Sequence, residues 1–287
     1  MNYQPFRPRS SNFLPEVVKN ILIINGIMFL ATVLMNNRGA DLVDMLGLHY
    51  FQSDKFRVYQ LITYMFMHGS FMHIFFNMFA VWMFGSSIEN VWGPRRFLTF
   101  YILTGLGAAV AHYGIFYFEM QPAMAFFNDY ISNPSHEKLQ ALVNSEAFQS
   151  FSSRDMMEHY NAFVHDYTVM AASNSQEALN LSVEYMSQFK ADILNAPVVV
   201  GASGSVFGLL LAYGMLFPNN LLFMLFLPIP IKAKYFVIIY GAIELFSGIA
   251  QIPGDNVAHF AHLGGLFTGL LLILFWRRNK PRNDNFF

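Results

Sequence analysis

The chain has 287 residues, of which 55% are hydrophobic and 12% carry a charge. Soluble domains carry charge on about a quarter of their residues, so this composition argues against a soluble enzyme. The formal net charge of -1 offers no surplus of Lys and Arg for nucleic acid, and the absence of cysteine excludes disulfides, thiolate catalysis and zinc-thiolate sites. Ser, His, Asp and Glu remain as the candidates for chemistry.

Six apolar stretches are long enough to cross a membrane as helices, which takes about 20 residues each. They are Val17 to Met35, Gln60 to Phe84, Phe97 to Phe118, Val199 to Phe217, Lys234 to Ala250 and Val257 to Trp276. The first stretch lacks a small-residue cleavage site, which predicts a retained anchor and not a removed signal peptide. We therefore expect an all-α polytopic membrane protein built as a bundle of six transmembrane helices.

The distribution of Lys and Arg predicts the orientation of this bundle, because short cytoplasmic loops carry the excess of positive charge. With the N-terminus inside, the inside segments hold eleven basic residues, and the much longer outside segments hold six. Both termini are therefore predicted to be cytoplasmic. The second, fourth and sixth spans then all start at the external surface.

The segment from Glu119 to Ala196, between the third and fourth spans, is polar and acidic. It contains ten carboxylates and only three basic residues. Apolar residues recur at helical spacing over Ser135 to Phe148 and Gln176 to Phe189. This pattern predicts an external helical insert, either a lid or cap of no chemical role or a surface that selects partners or substrates. The predicted organisation is a tail and three helices in 1–118, the insert in 119–196, and three helices and a cytoplasmic tail in 197–287. In this organisation 1–118 and 197–276 form one core.

The fourth span opens with the tetrapeptide G-A-S-G, which contains Ser203 and ends at Gly204. A serine at a helix entrance lies near backbone N–H groups that have no intrahelical partner, a position that favours negative charge. The tetrapeptide does not match the G-x-S-x-G elbow of soluble hydrolases. Close helix packing is the alternative interpretation, because Gly204, Gly208 and Ala212 recur at four-residue spacing on one face.

The sixth span supplies a candidate general base, His262, with His259 three residues earlier on a neighbouring position of the helix. Gly265 and Gly269 follow at the spacing that lets two membrane helices approach closely. We expect the glycine faces of the fourth and sixth spans to meet and to bring His262 within reach of Ser203. His259 is expected to line a water-accessible cavity or to satisfy a backbone carbonyl.

Two other spans carry polar groups. His73 and Asn77 share one face of the second span, and because polar side chains facing lipid are costly, both are expected to point inward and to donate hydrogen bonds to a developing oxyanion. His68 is expected to be a structural hydrogen-bond partner or part of a water-retaining pocket. Glu244 is a functional candidate by its position in the fifth span. A protonated or hydrogen-bonded packing role is favoured for it, because no sequence feature supplies a cation beside it.

Together these motifs resemble the rhomboid family of intramembrane serine proteases, in its bacterial type. The matching stretches are H-G-S-F-M-H-I-F-F-N (His68 to Asn77), E-N-V-W-G-P-R-R-F (Glu89 to Phe97), G-A-S-G (Gly201 to Gly204) and A-H-L-G-G-L-F-T-G (Ala261 to Gly269). Their order fits the six-helix core of the family. The resemblance implies a rhomboid-like bundle over 17–118 and 197–276, and the large insert departs from the compact bacterial core.

The resemblance implies a serine endopeptidase that cleaves transmembrane helices of other membrane proteins through a Ser-His dyad with no acidic third member. Ser203 matches the nucleophile and His262 the base. His73, Asn77 and the Ser203 N–H match the oxyanion hole, while Phe207 matches an aromatic residue that packs against the base. The expected partners are membrane-protein substrates and the lipid bilayer, with no nucleic acid, metal or organic cofactor. The expected location is the bacterial inner membrane, with the active site and the insert on the external or periplasmic side.

Two other functions remain open from the sequence. A non-catalytic membrane chaperone on the same fold would bind transmembrane helices without cutting them, although such proteins typically lack the serine or the histidine. A transition-metal transporter could use His and Glu ligands, but it gives no reason for the G-A-S-G motif. Its candidate ligands are His68, His73, His259, His262 and Glu244.

Overall fold

The computed structural model describes residues 12–145, 148, 154–223, 229–250 and 257–278, most of which are helical. The helices are α1 (Glu16–Asn36), α2 (Leu42–Leu46), α3 (Gln60–Thr63, followed by a 3-10 turn at Tyr64–Phe66), α4 (Phe71–Trp92, with a π-helical turn at Val81–Gly85), α5 (Pro94–Ser132), α6 (His136–Val143), α7 (Arg154–Ser173), α8 (Ser175–Asn195), α9 (Ser203–Leu216), α10 (Ala233–Ala250) and α11 (His259–Arg278). The strands are β1 (Leu48–His49), β2 (Val198–Val199), β3 (Leu221–Phe223) and β4 (Pro230–Lys232). The outer parts of the predicted tails, 1–11 and 279–287, lie outside the described residues.

Five of the described helices are long and apolar enough to cross a membrane, namely α1, α4, α5, α10 and α11. The remaining predicted span corresponds to α9, which is apolar but has only 14 residues. At about 1.5 Å per residue α9 is about 21 Å long, whereas the hydrocarbon core of a bilayer is about 30 Å thick. The prediction of an all-α multi-pass membrane protein is confirmed, and α9 is too short to reach both membrane surfaces.

The second membrane helix begins later than predicted. The sequence predicted one continuous span from Gln60, but the structure has a break after the first helical turns, and α4 begins only at Phe71. Ser70 is the N-cap of α4, because its hydroxyl accepts a hydrogen bond from the His73 N–H at 3.2 Å. His68 therefore lies in the loop before α4, and not on a helix that it shares with His73.

Two other helix boundaries differ from the predicted ones. α9 begins at Ser203 and not near Val199, because Gly201 has a φ of 117°, which no helical residue adopts and which glycine tolerates best. α5 continues past the predicted end at Phe118 as far as Ser132. Its later turns stay helical because their apolar residues keep helical spacing and are buried in a core of their own.

The first of two compact units contains the described residues up to Leu48, Arg57–Tyr113, and the described residues from Val199 onward. Nine of the 14 residues of α9 are buried, so α9 is a central element of this unit. α1 and α10 instead expose apolar side chains such as Ile27 and Phe246. A membrane helix that faces lipid is expected to expose such side chains.

The motif that begins at Glu89 fixes the start of α1. The buried carboxylate of Glu89 accepts hydrogen bonds from the N–H groups of Val17 and Val18, at 3.0 and 2.9 Å. These amides belong to the first turn of α1, where no intrahelical acceptor is available. Glu89 therefore acts as a capping group for a neighbouring helix.

The second unit contains His49–Phe56 and Gly114–Val198, and thus α6, α7 and α8. The buried residues of α8 recur every three or four positions and so form one face; they are Ala178, Ser182, Met186, Phe189 and Ile193. This face contributes to an apolar core shared with the end of α5, α6 and α7. Within that core the Phe189 ring lies 4.5 Å from the ring of Phe148 and 5.8 Å from that of Phe127.

We expect Phe189→Ala to loosen the second unit, because the loss of a buried aromatic ring costs about 3–5 kcal/mol. In the full-length protein, amide hydrogen exchange in α8 should accelerate by about a hundredfold or more. Val169→Ala on α7 is the control, since Val169 is 61% exposed whereas Phe189 is 3% exposed. Equal exchange rates in the two variants would contradict the placement of Phe189 in the core.

Candidate active site

Ser203 is the first residue of α9, and its side chain is half-buried. The loop before it is held in place by a hydrogen bond from the Gly201 N–H to the Tyr64 carbonyl oxygen, at 2.9 Å. Ala202 occupies the N-cap position and makes no side-chain capping bond. The first amides of α9 therefore point outward beside Ser203 without a cap from the preceding side chain, and they are available to a negatively charged group.

His262 lies on the face of α11 that packs against α9. Its ring stacks on the ring of Phe207, with centroids 4.3 Å apart and an angle of 11° between the planes. Phe207 is four residues after Ser203 on α9, so the two side chains share one helix face. The imidazole of His262 is thus held on the side of α9 that carries Ser203.

Glycines allow α9 and α11 to approach this closely. A Cβ atom at Gly265 would collide with the carbonyl oxygen of Gly204, and one at Gly269 would lie 3.4 Å from the Cα of Gly208. A Cβ atom at Gly204 would in turn collide with the side chain of Ala108 on α5. The predicted meeting of the two glycine faces is confirmed, and it brings backbone against backbone.

His73 and Asn77 lie one turn apart on α4, next to the loop before Ser203. A Cβ atom at Gly201 would be 2.6 Å from Nε2 of His73 and 3.7 Å from Nδ2 of Asn77. Asn77 is 6% exposed, and its Nδ2 has no hydrogen-bond partner among the described residues. Because an unsatisfied buried donor costs about 1–3 kcal/mol, this amide is a candidate to bind a ligand or a reacting atom.

Two further histidines lie near these groups. His68 is buried, and its ring meets the ring of His73 edge-on at 4.9 Å between centroids. His112 on α5 interacts electrostatically with His262, and its buried Nδ1 has no hydrogen-bond partner in the described part of the chain. His112 was not singled out from the sequence, although a lone histidine within an apolar span is a signal that could have found it.

Glu244 on α10 has two imidazole partners. Its Oε2 lies 2.9 Å from Nδ1 of His262 and 2.7 Å from Nδ1 of His259. The expectation that Glu244 has no group able to become a cation beside it is therefore wrong. His259, which was expected to line a cavity or to satisfy a carbonyl, contacts this carboxylate. The contacts arise because α10 packs along α11, a pairing that neither helix encodes in its own sequence.

The same three residues could surround a metal ion, since one ligand atom from each of Glu244, His259 and His262 falls within 4.8 Å of the others. The two nitrogen-oxygen distances of 2.7 and 2.9 Å are those of hydrogen bonds. Two ligands of a tetrahedral zinc site with bonds of about 2.0 Å would be about 3.3 Å apart. The group includes neither His68 nor His73, so the five candidate ligands of a transporter do not form one centre among the described residues.

The fold and these residues define a multi-pass helical membrane protein with a serine, several histidines and a carboxylate inside its bundle. The sequence matches the Rhomboid domain family over residues 55–124 and 155–279, and the protein therefore belongs to the rhomboid family, the family of intramembrane serine proteases. The predicted resemblance to the rhomboid family is confirmed. Between its two segments the match leaves out 125–154, which lies within the predicted insert.

The chain is also similar to Rhomboid-like protein 15 of Arabidopsis thaliana. The two sequences are 29% identical over 102 residues, which make up 35% of this chain and 25% of that relative. The chain thus matches about a quarter of the length of this relative. The similarity agrees with membership in the family and carries no further argument about activity.

Gly265→Ala should destabilise the protein by about 1–3 kcal/mol, because the added methyl group would force the backbones of α9 and α11 apart. Thermal unfolding in detergent measures this loss. Gly26→Ala on α1 is the matched control, since nothing lies within 4 Å of a Cβ atom there. Both changes bring the same gain in helix propensity, so only the steric term differs between them. Unfolding temperatures that shift equally would contradict the close helix contact.

Proposed function

We propose that the protein is an intramembrane serine endopeptidase, with Ser203 as the nucleophile and His262 as the general base. The observation that carries the proposal is the stack of His262 on Phe207, one turn from Ser203 on the same helix face. Membership in the rhomboid family supports membrane-protein substrates that are cut within the bilayer.

In the proposed mechanism, His262 accepts the Ser203 hydroxyl proton while Ser203 Oγ attacks the carbonyl carbon of a peptide bond in or next to a transmembrane helix. The tetrahedral oxyanion accepts hydrogen bonds from the Ser203 N–H, from Asn77 Nδ2 and from His73. His262 then gives its proton to the leaving amine, which breaks the C–N bond. Water, deprotonated by His262, hydrolyses the acyl-enzyme and restores the hydroxyl of Ser203.

The position of this chemistry in the membrane follows from the length of α9. α9 is too short to reach both membrane surfaces. If its C-terminal end reaches one surface, Ser203 at its N-terminal end lies within the membrane, below the other surface. The distribution of Lys and Arg supports a site that opens on the external side, with both termini cytoplasmic. Water needed for hydrolysis then enters from the external side.

Ser203→Ala and His262→Ala should each abolish cleavage of a transmembrane substrate reconstituted in liposomes. Both residues act in one chemical step, so the loss of either removes nearly the whole catalytic effect. Labelling by a fluorophosphonate should disappear in the Ser203 variant. His259→Ala is the control, with a much milder effect, since His259 is not part of the proposed proton transfer.

A folded Ser203→Ala variant that still cleaves would exclude the proposed nucleophile. The chaperone function would instead be favoured if the wild-type protein binds transmembrane helices but neither cleaves them nor reacts with the fluorophosphonate. A loss in His259→Ala equal to that in His262→Ala would mean that the base is assigned to the wrong imidazole.

Asn77→Ala should lower kcat by about a hundredfold or more and leave KM nearly unchanged, because an oxyanion donor strengthens its hydrogen bond mainly in the transition state. Steady-state kinetics with a transmembrane substrate separate the two constants. Asn25→Ala is the matched control, since Asn25 is also a buried asparagine on a membrane helix, and its Nδ2 donates within α1, to the carbonyl of Ile21. A raised KM with unchanged kcat would place Asn77 in substrate binding.

A further inference from the structure

The contact between Glu244 and the two imidazoles is unexpected for a site that works with a serine and a histidine alone. Glu244 is 7% exposed and His262 is 8% exposed, so their contact at 2.9 Å is shielded from solvent. The carboxylate meets Nδ1 of His262, which leaves Nε2 as the ring nitrogen available to the serine. This is the arrangement that an acid adopts when it orients the base of a serine hydrolase.

A packing role explains Glu244 poorly. α10 exposes the neighbouring side chains of Ile243 and Leu245, as expected for a helix in contact with lipid. A carboxylate in such a helix is expensive, and leucine would fill the same volume without the penalty. Nδ1 atoms of two imidazoles lie at hydrogen-bond distance from the carboxylate, and they stabilise it when they carry a proton. The cost of burying the carboxylate is thus offset at Oε2, the atom that contacts the proposed base.

We propose that Glu244 is a positioning residue that fixes the ring orientation and tautomer of His262, so that the site works as a Ser203-His262-Glu244 triad. The proposal rests on the proposed function, in which His262 is the base. An ionised carboxylate only accepts hydrogen bonds, so the proton of neutral His262 is held on Nδ1 and the lone pair on Nε2. When His262 takes the Ser203 proton, the negative charge of Glu244 stabilises the imidazolium.

His259 has a supporting part in this arrangement. Its Nδ1 lies 2.7 Å from the same Oε2 atom, one turn earlier on α11. The second hydrogen bond holds the carboxylate on α11 and restricts the rotation of the long Glu side chain. His259 therefore acts on the base through Glu244, which is consistent with a milder effect of its removal.

The test compares Glu244→Gln with the wild type in steady-state cleavage of a transmembrane substrate. Glutamine keeps the volume of the side chain and removes the charge, so we expect kcat to fall by about a hundredfold or more and KM to change by less than about twofold. Loss of the triad acid in a soluble serine protease lowers kcat by about 10⁴-fold, and this is the largest decrease in kcat that we expect for Glu244→Gln. Glu244→Asp retains the charge and should recover about tenfold or more of the kcat lost in Glu244→Gln.

The matched control is Glu89→Gln, a second buried carboxylate that caps α1 by accepting backbone N–H bonds. It should lower the unfolding temperature without changing kcat. A kcat of Glu244→Gln within about twofold of wild type, while Ser203→Ala is inactive, overturns the positioning role and leaves the proposed function standing. Equal losses in folded Glu244→Asp and Glu244→Gln assign the effect to packing and also overturn it. Cleavage by folded Ser203→Ala overturns the proposed function itself.

A second measurement needs no Glu244 variant. In the ¹⁵N NMR spectrum of histidine-labelled wild-type protein, neutral His262 should carry its proton on Nδ1, with the signal assigned by its loss in His262→Ala. A proton on Nε2 would mean that the carboxyl group donates to the ring, and it would overturn the proposal. Treatment with a zinc chelator should leave kcat unchanged. Loss of activity that Zn²⁺ alone restores would make the cluster a metal centre and overturn it too.

Discussion

The backbone contact between α9 and α11 is the constraint on which the rest of the site depends. Lipid tails are as apolar as leucine, so helices in a membrane associate through close packing and not through burial from water. The approach of Gly265 to the carbonyl of Gly204 sets the distance between the two helices. Ser203 and His262 each lie within one turn of that contact, so their separation follows directly from it.

The buried polar groups place an opposing demand on the same bundle. Asn77 leaves a donor without a partner among the described residues, and Glu244 brings a carboxylate into an apolar helix. Each is unfavourable for folding on its own. Departures of this kind from good packing are expected where a protein keeps groups ready for chemistry. Both groups lie on helices whose surfaces are otherwise apolar, and this makes them candidates for a functional site and not for packing defects.

Hydropathy predicted where the five membrane helices lie, though not all of their ends, and glycine spacing predicted the meeting of the α9 and α11 faces. Both signals are properties of a helix and its own sequence. The break before Phe71 was missed because apolar residues flank the short stretch His68 to Ser70 on both sides, so that the whole segment has the hydropathy of one span. Glu244 was misjudged for a different reason. Its partners lie on another helix, and the packing of α10 along α11 depends on the whole bundle. The assignment of roles to Ser203 and His262 stays a prediction.

The groups of the candidate site come from several helices, and this determines how the site can be kept in register. Asn77 belongs to α4, Ser203 to α9, Glu244 to α10 and His262 to α11. Catalysis tolerates displacements of its groups of only a fraction of an ångström, and an error in the placement of any one helix would displace the group that it carries. Hydrogen bonds between helices restrict such errors. The Gly201 N–H holds the loop before Ser203 to the Tyr64 carbonyl, and Glu244 holds α10 to the histidines of α11. The carboxylate thus fixes the position of a helix as well as the orientation of a ring.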